Sequence, residues 1–136
     1  MAGLVLIACS LAWMIIWSAL GMKVGKEHPE WVEKVKNFSQ QGDLGQFWST
    51  YDGYKILITA HAHANGMACV AFLIGLAMKL EIIGYSATFQ FILAIWLFLG
   101  VILSAIGDSR RTIPVIATGG LLFLTALIAC FIGLFV

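Results

Sequence analysis

Residues 87–106 read ATFQFILAIWLFLGVILSAI, twenty positions without a charged side chain. As a helix rising 1.5 Å per residue, such a run is about 30 Å long, the thickness of a bilayer's hydrocarbon core. Residues 113–136 repeat the pattern, and two further apolar runs precede them at 2–22 and 54–78. Transmembrane strands would be about ten residues long and would alternate polar with apolar positions. These runs are apolar all round. The expected fold is therefore all-α: an integral membrane four-helix bundle, one transmembrane domain over 1–136.

Composition supports the same class. Of 136 residues, 61% are hydrophobic and only 11% charged, and the mean hydropathy is +0.96. Soluble domains carry about 25% charged residues, which excludes a water-soluble monomer. A net charge of +1 leaves no basic patch for nucleic acid. Cys9, Cys69 and Cys130 fall in different apolar runs and read as small buried residues. Leu6-Ile7-Ala8-Cys9 resembles a lipoprotein cleavage site, but no positive charge opens the chain and the run continues through Trp13 and Trp17. A retained helix is expected.

The one long connection is 23–53. After His28-Pro29, Trp31, Val32, Val35 and Phe38 fall on one side of a helix, with Glu30, Glu33, Lys34 and Asn37 mostly on the other. Glu30 and Lys34 are spaced as an i,i+4 pair. This predicts a short amphipathic interfacial helix between helices 1 and 2, lying on the membrane surface. Asp43 can cap a further turn carrying Leu44, Phe47 and Trp48, and Trp48, Tyr51 and Tyr54 suit an aromatic belt. Lys23, Lys26, Lys34, Lys36, Lys55, Arg110 and Arg111 gather on the side of the first and third connections, against Lys79 alone beside the termini. The positive-inside rule then puts 23–53 and 107–112 in the cytoplasm.

Two of the chain's three histidines sit within the second run, in Thr59-Ala60-His61-Ala62-His63-Ala64-Asn65-Gly66-Met67. Ionisable residues inside a membrane are costly and mark functional sites. Two residues apart, His61 and His63 point about 200° away from each other on a helix, so they cannot both ligate one metal from an unbroken helix. His61 shares a face with Asn65, and His63 with Met67. One histidine can serve as an axial haem ligand while the other bonds within the bundle or faces a neighbouring protomer. The small residues around them admit a flat macrocycle or a second helix. Lys55, Arg110 and Arg111 lie on the same membrane side and suit propionate carboxylates.

The stretch His61-Ala62-His63-Ala64-Asn65-Gly66, preceded by Thr59-Ala60, resembles the H-A-H-x-N-G start of helix 2 in the haem-copper oxidase subunit I superfamily. The likeness is greatest to the nitric-oxide-reductase and cbb3-type branch and to short four-helix bacterial proteins of that kind. The resemblance implies a low-spin haem b held by a helix-2 histidine, with His61 or His63 at the matching position and His61 the preferred one. It also implies a place in respiratory electron transfer in a bacterial inner membrane, with the haem toward the outer side, opposite to the charge count. Helices 3 and 4 contain no histidine, so the copper ligands and the second axial histidine of the large enzymes are absent. A subunit or electron carrier is expected rather than a complete reductase. Two other functions share the same residues: a cofactor-free accessory subunit of a larger membrane complex, and a copper-handling protein using His61, His63 and Met67. A chain this short encloses little volume, so a homo-oligomer or partner subunits are expected.

Overall fold

A computed structural model describes residues 1–110 and 112–135. Among these residues the chain is helical with no strand, in the order α1 (Ala2–Gln41), α2 (Leu44–Lys79), α3 (Ala87–Arg110) and α4 (Ile113–Ile132). All four helices are long and apolar enough to cross a membrane. The chain is an integral membrane protein of all-α class, as its apolar runs require.

The connection between the first two spans differs from expectation. Residues 23–41 do not form a separate surface helix; they continue α1, which runs 40 residues with Pro29 inside it. Proline lacks the N–H that would reach the Gly25 carbonyl, yet the helix is carried through by contacts on both sides of it. The ring of His28 packs on that of Tyr54 with centroids 5.3 Å apart, and Trp31 packs on Tyr54 at 5.6 Å. Of the apolar face of 30–38, Trp31 is thus spent on α2, while Val32 stays 51% exposed. The ion pair on this stretch is Lys23–Glu27 at 3.9 Å, an exposed pair worth little, rather than Glu30–Lys34. Gly42 closes α1 with a left-handed φ of 72°, which glycine adopts without a Cβ clash. Asp43 then caps α2, its Oδ1 accepting from Gln46 N at 3.0 Å. The turn expected after Asp43 is the first turn of a 36-residue helix.

α1 and α2 form a long antiparallel hairpin. A Cβ on Gly75 would lie 3.0 Å from the Gly3 carbonyl, and further along Cys69 Sγ lies 3.4 Å from Met14 Sδ. α3 packs on α2 and α1, and α4 packs on α3. The core is built from small and aliphatic side chains, among them Leu6, Ala68, Ala71, Leu97, Val101 and Cys130. At the end holding the termini, Gly84 N donates to Gly133 O at 2.7 Å and Tyr85 donates its hydroxyl to Ala129 O at 3.1 Å. At the opposite end α3 stops at Arg110, level with the first part of the histidine stretch. The α1–α2 hairpin goes on alone for about 16 Å past Lys55, eleven residues at 1.5 Å each.

Candidate functional site

α2 carries the histidine stretch through the bundle as unbroken helix, so its two histidines look in different directions. His61 faces α1. Its ring lies so close to Gly21 that a Cβ there would overlap it. Asn65, one turn on, donates from Nδ2 to His61 Nε2 at 3.3 Å. His61 Nδ1 and Asn65 Oδ1 are buried without a hydrogen-bond partner among the described residues. One nitrogen is engaged, the other is enclosed, and the ring rests on the neighbouring helix.

His63 faces α3. Its Nδ1 lies 2.7 Å from Asp108 Oδ2, the acid near the end of that helix. The Asp108 side chain is 11% exposed and that of His63 60%. A carboxylate only accepts, so Nδ1 donates. This orients the ring and leaves Nε2 as the nitrogen able to bind elsewhere. A carboxylate behind an imidazole is the arrangement that fixes a metal-ligating histidine and raises its basicity. On the His63 side of α2, Thr59 and Gly66 are exposed, and a Cβ on Gly66 would meet open space. The flank beside His63 is therefore not covered by its own chain.

The other expected residues are placed as follows. Met67, one turn beyond His63, is partly buried against the core cluster. Lys55 lines a groove of about 260 Å³ with Asp52, Thr59, Asp108 and Ile116, so one cation of the expected set shares a groove with Asp108. Arg110 is exposed at the end of α3. Arg111 lies outside the described residues. His61 and His63 are not brought to one point, and no group of three or more His, Cys, Asp or Glu able to hold a metal occurs among the described residues.

The Asp108–His63 pair is not visible in the sequence, where Asp108 reads as a partner for an adjacent arginine or as a turn cap. The available signal is that Asp108 is the one acid of α3 and that the α2–α3 connection is short, which makes the two helices antiparallel neighbours. The third histidine has a partner as well: His28 Nδ1 is hydrogen-bonded to the Tyr54 hydroxyl.

A haem can be tested against this geometry. At His61 it does not fit within the chain, because Gly21 and Asn65 occupy the space and the nitrogen it would need. At His63 the imidazole is oriented, with a carboxylate behind it and a flank that its own chain leaves open. Comparison of the chain with protein-family models, with curated proteins and with solved structures finds no match.

Proposed function

We propose that the protein is a small haem-b-binding membrane subunit of respiratory electron transfer, with His63 rather than His61 as the axial ligand. The observation that carries this reading is the 2.7 Å contact between His63 Nδ1 and Asp108. It holds an exposed imidazole ring in one orientation within a membrane-spanning helix, where an unused ionisable residue is costly. A haem b held there would supply one-electron chemistry between its ferric and ferrous states. Asp108 fixes the ring and strengthens Nε2 as a donor. Lys55 and Arg110 provide cations at the same membrane edge for propionate carboxylates. Asn65 and Gly21 hold His61 as a packing residue of the α1–α2 contact.

The charge distribution supports a bacterial inner-membrane orientation with the projecting hairpin end in the cytoplasm and both termini outside. The exposed flank beside His63 supports an assembly of more than one chain, either copies of this one or partner subunits. The histidines give the test. Pyridine haemochrome assays on purified variants should find haem lost from His63→Ala and retained by His61→Ala. Equal retention by both, or loss confined to His61→Ala, overturns the assignment of His63.

A further inference from the structure

Where the α1–α2 hairpin leaves the bundle it carries a groove of about 460 Å³. Both walls belong to the hairpin, and no residue of α3 or α4 lines it. His28 lies at the inner end beside Tyr54, level with the start of the second apolar run, and Ser39 lies toward the tip. Eleven residues of α1 separate His28 from Ser39, about 16 Å of helix, so the groove is long and narrow. Trp31, Val32, Val35 and Phe47 make its walls apolar. Val32 is 51% exposed, and Tyr51, on the opposite wall, 42%. Apolar surface left open in a groove beyond the bundle marks a ligand site.

The polar groups of the groove are unevenly placed. At the inner end they are spent on each other, His28 Nδ1 being hydrogen-bonded to the Tyr54 hydroxyl. At the outer end Lys36 and Ser39, three apart on α1, share one side of the helix. Lys36 is exposed and makes no ion pair among the described residues. The acids of the hairpin, Glu30, Glu33, Asp43 and Asp52, are absent from the lining. The groove therefore offers one ammonium and a neighbouring hydroxyl at its outer end, then apolar walls as far as the membrane edge. A ligand that matches both parts has one acidic head and one apolar chain. A diacyl phospholipid brings a second chain for which the narrow groove has no place, and a neutral ring compound makes no use of Lys36. A single-chain acid dissolved in the bilayer can enter at the level of Tyr54 and pair its carboxylate with Lys36, as a charge-assisted hydrogen bond.

We infer that the groove of the projecting hairpin binds a long-chain fatty acid, with its carboxylate at Lys36 and Ser39 and its chain along Trp31, Val35 and Phe47 toward Tyr54. The site is separate from His63 and needs no haem, so a colourless protein tests it equally well. Full-length protein in phosphatidylcholine vesicles is irradiated with palmitic acid carrying a photoactivatable diazirine in its chain, and the labelled residues are read by mass spectrometry. Labelling should concentrate within residues 28–54 and should fall as unlabelled palmitate is added. Lys36→Gln should weaken binding about ten-fold, the effect of losing one hydrogen bond to a charged group, and Lys36→Arg should retain it. The methyl ester of the same probe should label the groove about ten-fold less. Val35→Trp, which fills the groove and leaves Lys36 in place, should abolish the saturable labelling and keep the helical circular dichroism. Unsaturable labelling spread over α3 and α4, equal labelling by the ester, or unchanged binding in Lys36→Gln overturns the inference. Displacement of the probe by phosphatidylglycerol or by a neutral isoprenoid quinone more readily than by palmitate also overturns it, and gives the groove to that ligand.

Discussion

Two histidines separated by one alanine have opposite environments because a helix turns 100° per residue. His61 meets a glycine on α1, and its ring fills the place of the missing side chain. His63 meets the carboxylate of Asp108 and keeps its ring largely exposed. Either histidine suits a haem by sequence, and the motif that resembles helix 2 of the oxidases prefers His61; the proposed assignment to His63 rests on the neighbours of each ring. Removing a hydrogen-bonding group behind a metal-bound histidine costs about 10–100-fold in affinity. Titrating haem into apoprotein should therefore show Asp108→Ala weaker than wild type by that factor, with Asp108→Asn between the two. Unchanged affinity in Asp108→Ala would remove Asp108 from the site.

The helices show how local signals compete with packing. Pro29 within an apolar pattern marks a helix boundary, and the residues around it predict a break after the first span. The helix continues because His28 and Trp31 on one side of α1 stack on Tyr54 of α2, and that contact outweighs one lost hydrogen bond. Interior proline costs a helix about 3 kcal/mol. Pro29→Ala, which restores the bond to the Gly25 carbonyl, is expected to slow amide exchange around residues 25–33 and to raise the thermal midpoint in detergent. Unchanged exchange there would mean that the helix is not continuous through Pro29. The four spans were legible in the sequence because each is a long run without charge, a signal that no tertiary contact has to supply. The cap by Asp43 was legible because capping is local. Two features were not: the partner of the 30–38 apolar face, and the partner of His63. Both depend on which residues lie level across antiparallel helices, and periodicity within one helix does not contain that register.

The whole molecule is two unequal hairpins. α3 and α4 span the hydrocarbon and stop, whereas α1 and α2 cross it and project beyond, carrying an aromatic groove of about 460 Å³ that Trp31, Phe47, Tyr51 and Tyr54 help to line. The side on which that projection lies is readable by labelling. A single cysteine at Ser39→Cys, near the tip of the hairpin, should react with an impermeant maleimide in inverted inner-membrane vesicles and not in intact spheroplasts; the reverse pattern would place the lysine-rich end outside. The proposed electron-transfer function requires a haem at His63. The most direct measurement is the dithionite-reduced minus oxidised absorption spectrum of the wild-type protein purified from its own membrane, with haem quantified as the pyridine haemochrome. The expected result is a Soret band and b-type α band at about one haem per chain, or one per pair if two chains share it. A colourless protein from the same membrane would contradict it.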